Sequence, residues 1–436
     1  MTKTGQKERA TQNRVVKHLQ SLGYRYLSDW HDKDCKNIDE VLLRDWLAGQ
    51  GHTPELIERT LRELLQAAQT QSQSLYEANE AVYSLLRYGA RVKTAVGEQT
   101  QTVPLVNWQD PSANDLAFAE EVTVKGHHGK RPDIVIYLNG IAVGVLELKR
   151  STVSVAEGIR QNLDNQTGTF IRPFYSTMQL VMAGNDTEGL RYGTIETPEK
   201  YYLTWKEDGD AGYAGSLLDH QLTQLLAPTR FLNLLQNFVV FDKGIKKLAR
   251  PNQFFGVKAA QKFVQERRGG IIWHTQGSGK SLTMVWLAKW IRENVPNSRV
   301  LIITDRTELD EQIEGVFLGV QEQITRTRSG AELLKLLSQP NPWLMASLIY
   351  KFGTQEEGDI KAFVQELQGN VDAGFRAHGE IFIFVDEAHR TQSGALHKAV
   401  NNPRLKSQAC VWTPSQLCIP PKACSFDFSI RHIRAH

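Results

Sequence analysis

Residues 131–150 of this 436-residue chain contain three side chains whose types and spacing could support chemistry; the segment reads RPDIVIYLNGIAVGVLELKR. Asp133 and Glu147 supply carboxylate oxygens, the ligands that Mg²⁺ prefers, and Lys149 could steady an attacking water or the charge developing on a phosphate. This pattern predicts metal-assisted hydrolysis of a phosphodiester. The alternative is structural: Glu147 and Lys149 would form an ion pair at a strand end, and Asp133 would be a cap.

Residues 271–282 (IIWHTQGSGKSL) form a second candidate site, because an apolar run is followed by a glycine-rich turn and a Lys-Ser pair. Backbone N–H groups of such a turn can approach phosphates, Lys280 supplies a positive charge, and Ser281 supplies a hydroxyl ligand for Mg²⁺. The strict G-x-x-x-x-G-K-[ST] pattern has glycine where this chain has His274. The alternative is a turn with a chance Lys-Ser pair. The predicted phosphate cradle comprises His274, Thr275, Gln276, Gly277, Ser278, Gly279, Lys280 and Ser281.

A pair of acidic residues follows a third apolar run, residues 381–385, about a hundred residues after the cradle. The pair opens the sequence D-E-A-H, and an acid at the carboxyl end of a parallel strand lies where ligands bind in such sheets. We expect Asp386 to hold Mg²⁺ opposite Ser281. Glu387 would orient or deprotonate the water that attacks a nucleotide phosphate.

The two carboxylates of the first site must be positioned by a β-hairpin, since Asn139-Gly140 between two β-rich runs is a strong hairpin signal. A regular two-residue hairpin would place Asp133 opposite Leu146 and turn Glu147 to the other face of the sheet. Both carboxylates reach one metal ion only if the register shifts. We therefore predict an irregularity within residues 138–145.

The composition is that of an ordinary folded protein, with 41% hydrophobic and 23% charged residues and a net charge of +3. No apolar run approaches the roughly 18 residues that span a bilayer, so we expect no membrane association. Four cysteines and a polar N-terminus without a signal peptide favour the reducing cytoplasm. Residues 243–268 contain eight basic side chains and one acid, which indicates either a solvated helix face or a phosphate-binding surface.

The order P-D…E-x-K, glycine-rich phosphate cradle and D-E-A-H resembles the R (motor and nuclease) subunit of type I restriction–modification enzymes. The resemblance extends to about residue 406 and includes NWQDPSAND (107–115), RPDIVIYLNG (131–140), GVLELKRS (144–151), RYGT (191–194), TDRTELDEQ (304–312) and DEAHRTQSG (386–394). It implies that Asp133, Glu147 and Lys149 cut DNA. It also implies that Lys280, Ser281, Asp386 and Glu387 bind and hydrolyse Mg-ATP.

The resemblance implies an α/β fold class: an N-terminal PD-(D/E)xK-type nuclease domain with a mixed sheet flanked by helices, then a partial RecA-like parallel α/β helicase domain. Gln253 would be the glutamine that contacts adenine, and Gln161 the first residue of a Gln-x-x-x-Tyr motif that supports the nuclease site. Asn165 stands where that motif has its tyrosine. The implied partners are double-stranded DNA and the modification and specificity subunits.

The C-terminal sequence departs from the family, which continues after D-E-A-H with a T-G-T-P strand and a second RecA-like domain. Residues 407–436 have three of the four cysteines and a Pro-Pro pair, and we expect them to fit no strand–helix unit. We predict a nuclease-containing region over 1–245, an incomplete RecA-like domain over 246–406 and an aberrant tail over 407–436, non-native or frame-shifted. Such a chain would bind nucleotide weakly. The alternatives are a non-catalytic truncated remnant and a separate superfamily 2 DNA helicase-like protein.

Overall fold

Two units divide the chain: Met1–Arg250 and Pro251–His436. The computed structural model describes residues 3–93, 99–126, 128–207, 215–273, 278–304, 307–320, 322–327, 329–348, 377–385, 410–415 and 433–434. None of the helices in these ranges is both long and apolar enough to cross a membrane. Each unit is built on its own sheet.

The first unit is organised by a six-stranded mixed sheet with the strand order β1-β4-β5-β6-β7-β8. β1/β4 and β6/β7 pair in parallel, and the other neighbours pair antiparallel. The strands of the first unit, which include the separate pairs β2/β3 and β9/β10, are β1 Arg25–Asp29, β2 Ala90–Val92, β3 Gln101–Val103, β4 Leu116–Glu120, β5 Ile134–Leu138, β6 Ile141–Leu148, β7 Leu180–Asn185, β8 Gly189–Gly193, β9 Val239–Asp242 and β10 Ile245–Leu248. Its helices are α1 Lys3–Ser21, α2 Glu40–Gly49, α3 Pro54–Ala67, α4 Leu75–Tyr88, α5 Val155–Asn165, α6 Leu217–Leu226 and α7 Pro228–Asn237.

Local sequence determines where the early helices begin. Thr53 caps α3 by accepting a hydrogen bond from the N–H of Leu56, and Pro54 occupies the first turn. α4 begins with a reciprocal capping box between Ser74 and Glu77. The apolar residues of α3 face the interior (Leu56, Ile57, Leu61 and Leu64 are buried).

The hairpin between β5 and β6 contains the predicted irregularity. Asn139 and Gly140 both have positive φ, 53° and 83°, as a two-residue turn of this kind requires. Ala142 pairs with Tyr137, but Gly144 pairs with Ile136, so Val143 is one extra residue on β6. Beyond this bulge Ile134 faces Leu146, and the next pair in the same register is Asp133 with Glu147.

The hairpin turn is held from outside by the loop of residues 107–115. The buried Asn139 amide donates to Leu105 O at 2.9 Å and to Asn114 Oδ1 at 3.0 Å, and its own oxygen accepts from Asp115 N–H at 2.7 Å. Asn107 in turn accepts a hydrogen bond at its carbonyl from the Asn114 amide. The NWQDPSAND segment therefore braces the turn that joins the two candidate carboxylate strands.

The bulge at Val143 is also held by a tertiary contact. The carbonyl of Val143, which the β5 ladder leaves free, accepts a hydrogen bond from Gln179 N–H at 2.8 Å. The Gln179 side chain accepts at 2.6 Å from Lys246 Nζ, whose ammonium also donates to Asn79 Oδ1 at 2.6 Å and to Met178 O at 3.1 Å. Lys246 belonged to the basic run for which we expected a helix face or a phosphate-binding surface. It lies instead on strand β10 and is only 3% exposed.

The second unit is built on a seven-stranded sheet with the order β13-β14-β12-β15-β16-β11-β17, in which all neighbours are parallel. Its strands are β11 Gly270–Trp273, β12 Ser298–Thr304, β13 Thr325–Thr327, β14 Leu344–Leu348, β15 Glu380–Val385, β16 Cys410–Ser415 and β17 Ile433–Arg434. Its helices are α8 Pro251–Gln265, α9 Lys280–Asn294, α10 Thr307–Gly319 and α11 Gly330–Leu337. This is the parallel α/β architecture expected of the ATPase half.

Part of the segment after residue 406 is described as a strand. β16 lies between β15 and β11 and pairs with both, and the assignment of residues 407–436 as an aberrant tail that fits no strand–helix unit stays a prediction. Cys410 faces Phe382 on one side, and Trp412 faces Gly270 on the other. Residues 410–413 read Cys-Val-Trp-Thr, a mainly apolar composition that is common in the central strands of parallel sheets.

Candidate active site

The bulged hairpin brings the three predicted nuclease residues to one end of the first unit's sheet. Asp133 lies just before β5, and its Oδ2 accepts a hydrogen bond at 2.6 Å from Leu148 N–H on β6, so it is bound across the hairpin and does not cap a helix. Glu147 is fully buried, and Lys149 follows on the same side with 15% of its side chain exposed. The carboxylates and the lysine therefore share one local site.

Gln161 on α5 joins this group. Its amide oxygen accepts a hydrogen bond from Lys149 Nζ at 2.7 Å, and its amide nitrogen donates to Glu147 Oε2 at 2.8 Å. Lys149 Nζ lies 3.9 Å from the same carboxylate oxygen, which is too far for a hydrogen bond. Lys149 and Glu147 are therefore linked through the two hydrogen bonds of Gln161. The structure thus brings together Asp133, Glu147, Lys149 and Gln161, while their catalytic roles stay predictions.

Gly158 on α5 lies next to the site, although no sequence motif indicated it. A Cβ added at Gly158 would lie 3.1 Å from Ala183 Cβ, 3.5 Å from Lys149 Cγ and 3.6 Å from Glu147 Cβ. α5 can therefore approach β6 and β7 closely enough for Gln161 to reach the carboxylate. The signal in the sequence was a glycine inside a helix, three residues before Gln161, where glycine otherwise costs about 1 kcal/mol.

Burial raises the pKa values of both carboxyls. Burial raises the pKa of Asp133 to about 6, while the Leu148 hydrogen bond and Lys149 act in the opposite direction. Burial, followed by the Asp133 charge, raises the pKa of Glu147 well above its usual range. Two carboxyls in this environment resist losing both protons until a cation compensates their charges.

One further observation indicates that the site could bind a divalent cation. Glu147 Oε1 is buried and has no hydrogen-bond partner among the residues that the structure describes, although an unpaired carboxylate oxygen in a protein interior is costly. Asp133 Oδ1 and Glu147 Oε1 are the oxygens with which the two carboxylates would coordinate Mg²⁺. Among the residues that the structure describes, no cluster of three or more His, Cys, Asp or Glu side chains is arranged to bind a metal. The two carboxylates would therefore share the ion with water.

If the site cleaves DNA, as the sequence predicts, replacing Gln161 by alanine is expected to lower the cleavage rate by about 10- to 100-fold and to raise the Mg²⁺ concentration needed for half-maximal activity. The physical reason is that Lys149 and Glu147 both lose the group that orients them. Glu157→Ala removes an exposed side chain from the same helix and is the matched control. Equal rates for the two variants would contradict the role of Gln161.

Asn165 occupies the position of the missing tyrosine. Its side chain is fully buried, and neither its amide nitrogen nor its oxygen has a hydrogen-bond partner within the described ranges. One turn earlier, Asn162 accepts a hydrogen bond from the hydroxyl of Tyr175 at 2.9 Å. α5 is thus tied to the core by residues other than the expected tyrosine.

The phosphate cradle of the second unit is described only from Ser278 onward. Gly279 has φ 84° and precedes α9, which begins at Lys280 with Ser281 in its first turn. The buried Gln253 amide donates to the carbonyls of Ser278 and Gly279, both at 3.0 Å, and a Cβ at Gly279 would lie 2.4 Å from its nitrogen. Gln253 therefore braces the cradle here, and its contact with adenine stays a prediction.

Several predicted nucleotide-site residues lie outside the described residues, so their placement is not part of this geometry. They are His274, Thr275, Gln276 and Gly277 of the cradle, and Asp386 and Glu387 of the D-E-A-H sequence. The strands that precede them, β11 and β15, are described, and β16 alone separates the two in the sheet. Helix α9, with Lys280 at its start, supplies the helix N-terminus on which a phosphate can bind.

Two family profiles match the chain, one on each unit. The profile described as "Type I restriction enzyme R protein N terminus" matches residues 5–200. The profile described as "SWI2/SNF2 ATPase" matches residues 252–412 and thus extends into β16. Together they agree with a nuclease-type unit followed by a helicase-like ATPase unit.

Curated relatives match across both units. The type I restriction enzyme HindI endonuclease subunit of Haemophilus influenzae is 28% identical over 428 residues, which cover 89% of this chain and 39% of that protein. The type I restriction enzyme SauMSSORF170P endonuclease subunit of Staphylococcus aureus is 22% identical over 406 residues, covering 91% of this chain and 41% of that protein. The chain spans about 40% of the length of the curated relatives it matches.

Proposed function

The chain is a homologue of type I restriction enzyme endonuclease subunits, and from this premise we propose that it cleaves double-stranded DNA and couples cleavage to an ATP-driven motor. The observation that carries the proposal is the bulged hairpin, because it aligns Asp133 with Glu147 beside Lys149. A hairpin without the bulge would separate the carboxylates.

In the proposed nuclease site Asp133 and Glu147 hold Mg²⁺. When bound, the cation would polarise the scissile phosphate and lower the pKa of a coordinated water. Lys149 keeps its ammonium beside the carboxylates through the Gln161 amide, and from there it can orient the attacking water and stabilise negative charge on the phosphate. The hydrogen bond from Leu148 N–H fixes one oxygen of Asp133, which leaves the other to face the ligand.

In the proposed motor site ATP binds at the start of α9, where Lys280 contacts its phosphates and Ser281 contributes to Mg²⁺ binding. Asp386 would complete the Mg²⁺ site, and Glu387 would act on the attacking water. Gln253, which holds the carbonyls of Ser278 and Gly279, supports the backbone of the cradle.

We expect modification and specificity subunits as partners, with the specificity subunit selecting the DNA target, and the cytoplasm as the place of action. These expectations rest on the relatives' description as type I restriction enzyme subunits. The non-catalytic remnant remains the competing hypothesis.

The experiment that separates the hypotheses is incubation of the full chain with supercoiled plasmid and Mg²⁺, with and without its partner subunits and ATP. The proposed function predicts nicked or linear DNA that disappears when EDTA removes the metal. A chain that binds Mg²⁺ but leaves the plasmid intact, even with the partner subunits present, would favour the remnant.

Cleavage should depend on pH through the metal-binding carboxyls. Because the pKa of Asp133 is raised to about 6, Mg²⁺ must displace a proton from it below that pH. The Mg²⁺ concentration for half-maximal cleavage should therefore rise about tenfold for each pH unit below 6, and more steeply if Glu147 must also release a proton. Titrations of rate against Mg²⁺ between pH 5 and 8 test this. A constant Mg²⁺ requirement across that range would contradict it.

A further inference from the structure

Arg131 is the first residue of the R-P-D sequence, and the metal site as described does not use it. Its side chain is 46% exposed, two residues before Asp133. Its Nε lies 2.8 Å from Glu121 Oε2, and the described part of the chain gives it no second carboxylate partner. Since a guanidinium has five N–H donors, most of its capacity remains available.

Glu121 holds Arg131 next to the candidate metal ligands. Its N–H donates to the carbonyl of Asp133 at 2.9 Å, so the backbones of the two acidic residues are directly joined. Its other carboxylate oxygen accepts from Gln12 Nε2 at 3.0 Å and lies 3.2 Å from Arg9 Nη1, both on helix α1. Glu121 has a φ of 51°, a left-handed conformation that is uncommon for residues other than glycine.

Stability alone does not explain this arrangement. A half-exposed ion pair typically contributes at most about 1 kcal/mol, yet here one carboxylate is held by three partners in a strained backbone position beside the metal ligands. Arg160 on α5 is a contrasting case. Its Nε, Nη1 and Nη2 all donate to carboxylates of Glu199 or Glu157, so it has little left to offer a ligand.

The other basic residues beside the site point the same way. Lys130 precedes Arg131 and lies over the ring of Phe170 at 3.9 Å, and Arg150 follows Lys149. Neither has a carboxylate partner among the residues that the structure describes. Cationic side chains without carboxylate partners, on both sides of a carboxylate pair, are suited to binding a polyanion. They would not stabilise the protein in the absence of such a ligand.

We propose that Arg131 binds a backbone phosphate of the DNA next to the cleavage site and that Glu121 is the residue that positions it. This inference rests on the proposed nuclease function. Nε bound to Glu121 directs the far edge of the guanidinium outward, where two parallel N–H groups match the oxygens of a phosphate. The contact carries no sequence information and would serve any DNA.

Binding of a labelled 30-base-pair duplex to the full chain tests the proposal, with Ca²⁺ replacing Mg²⁺ to prevent cleavage. Loss of one phosphate contact in Arg131→Ala should reduce the slope of log K against log salt by about 0.9, which corresponds to about eightfold weaker binding at 0.1 M salt. Arg131→Lys should recover the slope with incomplete affinity. Arg160→Ala removes the same charge from the same unit and should change neither quantity. In a Glu121→Gln background, the loss caused by Arg131→Ala should be smaller than in the wild type.

Equal slopes for Arg131→Ala, Arg160→Ala and the wild type would overturn the inference. If Arg131→Ala weakens DNA binding equally in the wild type and in the Glu121→Gln background, the positioning role of Glu121 is overturned. The proposed nuclease function fails separately, if the wild-type chain cuts no DNA with Mg²⁺ while Arg131→Ala still weakens binding.

Discussion

Asp133→Asn is expected to abolish Mg²⁺-dependent DNA cleavage, with a loss of at least about 10³-fold. The cation is expected to contribute several kcal/mol of charge stabilisation, and each tenfold in rate corresponds to about 1.4 kcal/mol. Asparagine keeps the shape of the side chain and can still accept the hydrogen bond from Leu148 N–H. The change therefore removes the charge and largely preserves the hairpin. Cleavage rates of supercoiled plasmid over a range of Mg²⁺ concentrations measure the loss.

The same substitution is expected to stabilise the metal-free fold near neutral pH. The raised pKa of Asp133 means that the folded chain binds more protons than the unfolded chain between about pH 4 and 6, so stability falls as pH rises through that window. Above pH 6 the wild type is destabilised because Asp133 must be ionised in a partly buried position, and the asparagine variant is not. The gain should be roughly 2 kcal/mol at pH 7, after an allowance for the partial exposure of the residue, and should vanish near pH 4.

Asp45→Asn is the matched control for both measurements, because it makes the same chemical change on the exposed face of α2. It should leave cleavage and stability unchanged. An Asp133→Asn variant that cuts DNA at the wild-type rate would remove Asp133 from the metal site. A variant that is both inactive and unstable would indicate that folding, and not chemistry, was lost.

Lys246→Met is expected to destabilise the first unit by about 3 kcal/mol, the largest stability effect that we predict. Burial lowers the pKa of the Lys246 ammonium, and its three hydrogen-bonded oxygens account for all three of its donors. Methionine fills a similar volume but removes the donor to the side-chain oxygens of Asn79 and Gln179 in the interior, where each stranded group costs roughly 1–3 kcal/mol, while the Met178 carbonyl keeps the Asn79 amide as donor. For a unit of this size the melting temperature should fall by roughly 6–12 °C.

Lys247→Met tests whether the effect depends on burial. Lys247 neighbours Lys246 on β10, but its side chain is 34% exposed, and it pairs with the buried Asp242. Because its loss strands one buried partner that lies next to solvent, it should cost about 1–2 kcal/mol, less than the loss of Lys246. Equal melting temperatures for the two variants would show that the buried ammonium does not hold the fold together.

Lys246→Met should also weaken Mg²⁺ binding, although Lys246 does not belong to the metal site. Its partner Gln179 donates the hydrogen bond that holds the carbonyl of Val143 in the bulge, and the bulge sets the register of the two carboxylates. A mobile bulge would let Asp133 and Glu147 lose their alignment. Calorimetric titration with Mg²⁺, at a temperature where the variant remains folded, measures this effect.

The sequence alone determined the chemistry of the candidate site and much of its local frame. Residue type and order identified Asp133, Glu147 and Lys149. The Asn-Gly turn required a hairpin, and the odd spacing of the carboxylates required a register shift within it. These features are local, because turn conformation and side-chain alternation depend on neighbouring residues.

The tertiary structure alone decided where the register shifts and what maintains it. The bulge lies at Val143, and the carbonyl of Val143 accepts a hydrogen bond from Gln179 N–H, 36 positions later in the chain. Long-range packing also buried Lys246, which belongs to the basic run interpreted as a helix face or a phosphate-binding surface. In the second unit, long-range pairing placed β16 inside the sheet. Contacts between distant segments leave no periodic pattern in the sequence, so the supporting roles of Gln179 and Lys246 could be recognised only in the folded chain.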